Sequence, residues 1–174
     1  MKILALPPAV VLMLTSCQEL PPAYPVPEQR PSFEGFKEHS PRVVNMGDAD
    51  APLHFVRDIY PDLNGSWRWS LARPAVSIRV RTTQKLKYKM DFALPEVTFK
   101  DTGPVTIAFL VNDHMLDRVH YNRFGEQHFE KEVPPEWLVL DEKAVVGAEI
   151  DKLWTSKVDG KKFGFIITRI GLTE

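Results

Sequence analysis

Apolar and polar residues alternate along several short stretches of the chain. Stretches 76–81 and 86–92 alternate residue by residue, and 163–168 does so near the C-terminus. A period of two is typical of β-strands with one buried face. The run 105–111 is apolar on both faces, which predicts a central strand.

Shorter stretches add to this pattern. Val145, Val146 and Ile150 predict another strand, and shorter candidates lie at 53–60, 67–71, 115–120 and 127–133. No stretch keeps a helical apolar period over three turns, and the best helical segment is 134–138, where proline suits a first turn. About eight or nine short strands therefore predict an all-β fold, an antiparallel sandwich or barrel, over residues 43–174.

Residues 1–16 have the pattern of a secretory signal peptide. Lys2 precedes an apolar run from Ile3 to Leu14, which is shorter than the roughly 20 residues that a membrane-spanning helix needs. The run ends in Leu14-Thr15-Ser16-Cys17, and Cys17 is the only cysteine of the chain. This motif resembles the lipobox of bacterial lipoproteins, whose cysteine carries a diacylglycerol and is acylated at its amino group after cleavage. The resemblance implies lipid attachment at Cys17; the alternative is a cleaved signal peptide with an incidental cysteine.

Residues 17–42 are expected to tether a folded domain to the membrane surface. Six prolines lie between residues 18 and 42, and they favour an extended, semi-rigid spacer. The alternative is a proline-rich docking peptide with Tyr24, Phe33 and Phe36 as its specific contacts. Gln18 follows the cysteine at a position where aspartate resembles an inner-membrane retention signal. In a cell with two membranes the outer membrane is therefore expected.

Four short motifs in the predicted domain resemble galactose-binding-like jelly-roll domains. They are Gly65-Ser66-Trp67-Arg68-Trp69-Ser70, Val111-Asn112-Asp113-His114, Val133-Pro134-Pro135-Glu136-Trp137-Leu138 and Asp159-Gly160-Lys161-Lys162-Phe163-Gly164-Phe165. The resemblance implies a jelly-roll β-sandwich. Members of this family often bind glycans, and many serve only as packing modules. Asp113-His114 departs from the family's V-N-G turn.

Charge and cysteine content exclude several classes of function. The 22 basic and 23 acidic residues nearly cancel, so no general attraction to nucleic acid is expected. One cysteine excludes a disulfide framework and a multi-cysteine zinc site. The five histidines match no metal-binding motif, and neither a cofactor nor a metal is predicted.

Trp67 and Trp69 lie two residues apart and share one face of a strand. If exposed, they would form a stacking platform for sugar rings, with Arg68 on the other face. If buried, they would belong to the sandwich core. The core interpretation is favoured because a small sandwich needs the large area that two indoles bury.

Basic residues alternate along two predicted strands, with Arg79 and Arg81 on one and Lys85, Lys87 and Lys89 on the other. If the two strands pair, like charges lie opposite each other, which costs stability. Either the strands are not neighbours or anions offset the patch. The functional interpretation is binding of an acidic glycan, a teichoic-type polymer or a lipid head group. The alternative is a solvated face whose lysines discourage edge-to-edge association.

Two pairs of aspartates, Asp58/Asp62 and Asp113/Asp117, flank predicted turns and are candidate acids. Asp58, Asp62 and Asp113 carry the hypothesis of an envelope glycan hydrolase, although aspartate is common in turns for local hydrogen bonding. The leading interpretation is a lipid-anchored, non-catalytic binding module of the bacterial envelope. Its ligand would be a glycan or an envelope protein. The third alternative is a structural subunit of an envelope assembly.

Overall fold

A computed structural model of the protein describes residues 42–174. The expected signal peptide, Cys17 and the proline-rich segment up to residue 41 lie outside the described residues. Within the described range, no helix is both long enough and apolar enough to cross a membrane.

Eleven β-strands, one α-helix and two 3-10 helices form residues 42–174. The strands are β1 (Val43–Asn45), β2 (Phe55–Ile59), β3 (Arg68–Arg79), β4 (Lys87–Leu94), β5 (Val105–Val111), β6 (His114–Tyr121), β7 (Gly125–Glu132), β8 (Lys143–Ile150), β9 (Trp154–Thr155), β10 (Lys162–Phe163) and β11 (Ile166–Thr173). The α-helix α1 spans Glu96–Thr102, and the 3-10 helices span Ala51–His54 and Pro135–Trp137.

The strands form an antiparallel jelly-roll sandwich, which confirms the predicted fold class. The front sheet has the order β11-β4-β7, and both β1 and the start of β3 pair with the other side of β11. The back sheet has the order β2-β3-β8-β5-β6. β3 serves both sheets, because residues 68–69 pair with β11 and residues 75–79 pair with β8. Pro74, which has no backbone N–H donor, lies between the two paired parts.

The predicted strands map onto the observed ones with few changes. Stretches 67–71 and 76–81 belong largely to the single strand β3, and 163–168 divides between β10 and β11. β1 and β9 were not predicted, because strands of three and two residues are too short to show a period of two. The expected eight or nine strands therefore become eleven.

Aromatic and aliphatic side chains from both sheets fill the core. Tyr88 and Phe92 of β4 meet Phe109 of β5, with the rings of Tyr88 and Phe109 5.7 Å apart. Phe129 of β7 stacks on Phe109 at 3.6 Å. β5 lies between β8 and β6, as its doubly apolar pattern predicted.

The turn between β5 and β6 has the geometry of a tight hairpin. Asn112 and Asp113 are the two turn residues, with φ of 49° and 63°. Two consecutive residues with positive φ are typical of a type I′ turn, which favours Asn-Gly. Asp113 therefore occupies the position that glycine takes in the favoured Asn-Gly pair.

The helix α1 connects β4 to β5 and was not predicted. It has seven residues, of which only Thr98 is buried, so it shows no apolar period. Glu96 and Lys100 pair across one turn at 2.8 Å, and Gly103 ends the helix with φ of 68°. The helical segment predicted at 134–138 is the 3-10 helix Pro135–Trp137.

Candidate ligand-binding surface

At the start of β3, the side chains that face the core are not the ones that the favoured interpretation placed there. Arg68 and Ser70 face the sandwich interior and are 4% and 0% exposed. Trp67 and Trp69 lie half-buried on the outer face of the front sheet. The core interpretation of the two tryptophans is therefore wrong.

Backbone acceptors and an aromatic ring make the inward position of Arg68 possible. Its Nε donates a hydrogen bond to the Met46 carbonyl oxygen at 3.0 Å, and a terminal nitrogen donates to the Pro61 carbonyl. The guanidinium carbon also lies 5.4 Å from the centre of the Phe55 ring. Because a buried cation is tolerated only when its donors are satisfied, these contacts hold Arg68 inside and the flanking indoles outside.

Five half-buried aromatic rings form a continuous surface, which we call the aromatic strip: Tyr60, Trp67, Trp69, Trp154 and Phe163. The rings of Trp67 and Trp69 are 6.0 Å apart and nearly perpendicular. Trp69 lies 4.8 Å from Phe163, which in turn contacts Tyr60 at 5.2 Å and Trp154 at 5.9 Å. The strip thus joins the start of β3 to the β9–β10 hairpin.

Hydrogen bonds fix the outer rings of the aromatic strip. The Tyr60 hydroxyl donates to the Lys162 carbonyl oxygen at 2.9 Å. The Trp154 indole nitrogen donates to an Asp101 carboxylate oxygen at 2.8 Å. These contacts tie Tyr60 to β10 and Trp154 to α1.

A groove of about 570 Å³ crosses the outer face of the front sheet and begins at Trp67. Its lining consists of Trp67, Asp91, Phe92, Ala93, Glu126, Gln127, His128, Ile166 and Thr168. The register places Ile166 beside Trp69 on one side and Ala93 on the other, and Ala93 beside Glu126. An apolar floor therefore leads from the aromatic strip to a polar wall on β7.

Asp91 holds the polar part of the groove together. One carboxylate oxygen contacts His128 Nδ1 and the other contacts Arg169 Nε. Partial burial raises the Asp91 pKa, but the hydrogen bonds from His128 and Arg169 outweigh it, so the pKa is lowered. Asp91 is therefore ionised at neutral pH, with both oxygens engaged.

The predicted basic residues do not form one patch. Arg79 lies on the back sheet opposite Lys143, whereas Lys87 and Lys89 lie on the front sheet. Arg81 and Lys85 belong to the segment that connects β3 to β4. The strands that carry these residues, β3 and β4, are not neighbours in the sheet, so the first of the two alternatives holds.

Glu130 of β7 pairs with the two front-sheet lysines. Its carboxylate lies 2.9 Å from Lys87 Nζ and 3.6 Å from Lys89 Nζ. The hydrogen bond with Lys87 raises the Lys87 pKa and lowers that of Glu130. Glu132, which lies opposite Lys87 in the sheet, adds a second negative charge, so two carboxylates face the two lysines.

The candidate acids lie in turns and at bulges. Asp58 has φ of 56° in β2 and accepts a hydrogen bond from the Arg73 backbone nitrogen at 2.8 Å. Asp113 lies in the β5–β6 turn, 3.4 Å from Arg57, and Asp62 is exposed between β2 and β3. Asp58 and Asp113 thus both have positive φ, which aspartate tolerates, and both carboxylates contact residues that are distant in sequence.

The histidines of the described range are dispersed. His114 stacks on Trp137 at 5.0 Å, His120 lies 3.3 Å from the Thr106 hydroxyl, and His128 contacts Asp91. His54 ends the first 3-10 helix, and His39 lies outside the described residues. No group of three or more potential metal ligands occurs within residues 42–174.

The sequence suggested Trp67 and Trp69 as ligand contacts but not the rest of the groove. Asp91, Glu126 and His128 come from β4 and β7, and Ile166 and Thr168 come from β11. Only the pairing of these strands brings the residues together. The polar positions of the alternating stretch 86–92 were the one local signal for Asp91.

No protein-family model and no curated protein sequence matches the chain. Three solved structures resemble its fold at low sequence identity. A family 35 carbohydrate binding module from an environmental isolate is 9% identical, with a TM-score of 0.44 over 76% of this chain and 92% of the module. The CBM36-1 domain of a multidomain xylanase from the hindgut metagenome of Trinervitermes trinervoides is 6% identical, with a TM-score of 0.37 over 74% and 94%. CBM35 from Paenibacillus barcinonensis is 11% identical, with a TM-score of 0.34 over 78% and 94%.

Proposed function

We propose that this protein is a non-catalytic carbohydrate-binding module of the bacterial cell envelope, anchored by lipid on Cys17. The observation that carries the binding proposal is the aromatic strip, which runs from the outer face of the front sheet onto the β9–β10 hairpin. Large aromatic rings usually lie in a protein core, so a group of half-exposed rings on a sheet indicates a binding surface. A groove with polar side chains begins at Trp67, and it places hydrogen-bonding groups beside these rings.

The groove matches the two-sided chemistry of a sugar. One face of a pyranose ring presents C–H groups, which pack on an aromatic ring such as Trp67. The hydroxyl groups around the ring donate and accept hydrogen bonds, for which the wall of the groove offers Glu126 and His128, whose side chains share the outer face of β7. A pre-formed surface of this kind binds with little loss of side-chain entropy.

The state of the groove carboxylates supports a non-catalytic role. Hydrolysis of a glycosidic bond ordinarily uses a pair of carboxyl groups, one as acid and one as nucleophile or base. Both oxygens of Asp91 are engaged by His128 and Arg169, which leaves Glu126 as the other carboxylate of the lining. The alternative of a glycan hydrolase predicts measurable release of reducing ends from the polysaccharide that the protein binds.

The anchoring proposal rests on the lipobox Leu14-Thr15-Ser16-Cys17 and the proline-rich segment that follows. Two or three acyl chains on one cysteine would hold the protein at a membrane stably. Cys17→Ala should abolish partitioning into a detergent phase and leave precursor or soluble protein. A mature protein with a free Cys17 thiol would contradict the anchoring proposal without touching the binding proposal.

Polysaccharide affinity electrophoresis tests the binding proposal. The wild-type protein should be retarded by at least one envelope or cell-wall polysaccharide, and Trp67→Ala should lose at least about tenfold in affinity. Trp137→Ala is the matched control, since this indole stacks on His114 away from the aromatic strip. Thermal unfolding of each variant verifies the fold. No retardation by any polysaccharide, or equal losses in both variants, would contradict the proposal.

A further inference from the structure

The groove carries two carboxylates, and the charge of one of them, Asp91, is offset by Arg169, so Glu126 supplies its excess negative charge. Two of the residues that line it, Asp91 and Glu126, carry carboxylates, and His128 is the third titratable group. None of its lining residues within the described chain is a lysine or an arginine. A site built for polyanions normally presents uncommitted cations to its ligand.

Three cations on β4 and β11, two of the strands that form the groove, are paired with carboxylates. Arg169 Nε contacts Asp91. Lys87 and Lys89 both pair with Glu130, which lies two residues after His128 on β7. An anionic ligand would have to compete with these carboxylates for each cation.

Glu126 is placed to repel an anion from the apolar floor. It lies on β7 beside Ala93, which is the neighbour of Ile166 in the same row of the sheet. Its side chain is exposed, and charge effects extend about 8 Å at physiological ionic strength. A carboxylate or phosphate on a glycan that extends from Trp67 over Ala93 would fall within the influence of Glu126.

We infer that this groove selects uncharged glycans and excludes polyanionic ones. The inference rests on the proposed function, because it specifies the ligand of the same groove. It replaces the expectation that Arg79, Arg81, Lys85, Lys87 and Lys89 bind an acidic polymer. Electrostatic complementarity, with Glu126 as the discriminating residue, determines which polymers enter.

Backbone-matched polymers test this selectivity. Glucan, xylan, mannan and chitin are each presented in a neutral water-soluble form and a carboxymethylated form, at low salt. We expect retardation by at least one neutral polymer and at least about tenfold weaker binding of its carboxymethylated form. Added salt should narrow the difference, because it screens the repulsion.

Two isosteric variants identify the residue responsible. Glu126→Gln removes the one of the two groove carboxylates that Arg169 does not offset, so the ratio of anionic to neutral binding should rise several-fold. Glu132→Gln makes the same change on the same strand, opposite Lys87 and away from the groove, and should leave that ratio unchanged. An unchanged ratio in Glu126→Gln, or an equal rise in both variants, would overturn the inference.

The two proposals fail in different ways. If no polymer of either kind binds, the proposed function itself is contradicted. If a carboxymethylated polymer binds as tightly as its neutral form or more tightly, carbohydrate binding stands and the selectivity is overturned.

Discussion

Arg68 donates a hydrogen bond from Nε to the Met46 carbonyl oxygen, 3.0 Å away, inside the sandwich. This bond joins the start of β3 to the segment after β1, and its partner bond to Pro61 joins β3 to the segment after β2. Because successive side chains of a strand point to opposite faces, an inward Arg68 requires outward neighbours. The orientation of the aromatic strip therefore depends on a buried cation.

Arg68→Met should destabilise the fold and disturb the aromatic strip. Methionine fills similar space but leaves the Met46 and Pro61 carbonyls without their donor, which we expect to cost about 2–4 kcal/mol. Chemical unfolding measures the loss, and tryptophan fluorescence reports the disturbance of Trp67 and Trp69. Arg68→Lys keeps the charge and a donor group, the ammonium, and should lose less stability. Equal stability of Arg68→Met and wild type would contradict this role.

Tyr88→Phe tests the link between the two sheets. The Tyr88 hydroxyl donates to the Gly147 carbonyl oxygen at 3.0 Å, from β4 across the core to β8. Removing the donor leaves a buried carbonyl without this partner, so we expect a loss of about 1–2 kcal/mol in unfolding free energy. Tyr60→Phe removes an exposed hydrogen bond and is the matched control, with a smaller loss. The reverse order of the two losses would contradict the assignment.

Gly171→Ala should displace β1 from β11. A β-carbon at this position would lie 2.3 Å from the Arg42 carbonyl oxygen and 2.5 Å from the Val43 α-carbon. These are backbone atoms, so β1 must move, and a loss of about 1–3 kcal/mol is expected. Gly125→Ala is the comparison variant. Its φ of 108° also disfavours alanine, but no atom lies within 4 Å of the added β-carbon, so no neighbouring strand has to move. Hydrogen exchange should localise the Gly171→Ala effect to β1.

Much of the fold could be predicted because local alternation encodes it. The stretch 86–92 shows which side chains of β4 are buried without reference to any other strand. The α1 helix could not be predicted in this way, because its single buried residue, Thr98, produces no period. The only local indication of this helix in the sequence was Gly103, the residue at which it ends.

The candidate site was harder to predict because its geometry depends on distant contacts. The sequence Trp67-Arg68-Trp69-Ser70 defines two faces but not which one is inside. Tryptophan side chains are usually buried. Here the Met46 and Pro61 carbonyls bind Arg68 in the interior, so the neighbouring indoles face outward. The groove likewise needs β4, β7 and β11 to be neighbours, which no local pattern indicates.

Stability should fall in acid through Asp91. Its pKa is lowered in the folded protein below the ordinary value of 3.8. The folded state therefore binds fewer protons, so this contribution is full above the ordinary pKa and is lost as pH falls through the folded pKa. Asp91→Asn should lower the unfolding free energy near neutral pH, and its difference from wild type should shrink below about pH 4. A difference that is independent of pH would contradict the ion-pair role of Asp91.

The most direct test of a carbohydrate-binding aromatic strip is NMR of the four tryptophan indole N–H groups during titration with a retained oligosaccharide. The signals of Trp67 and Trp69 should shift with increasing ligand, and that of Trp154 should follow to a lesser extent because its N–H is already bonded to Asp101. The signal of Trp137, stacked on His114, should stay in place. Binding that shifts Trp137 while Trp67 and Trp69 remain unchanged would contradict the account.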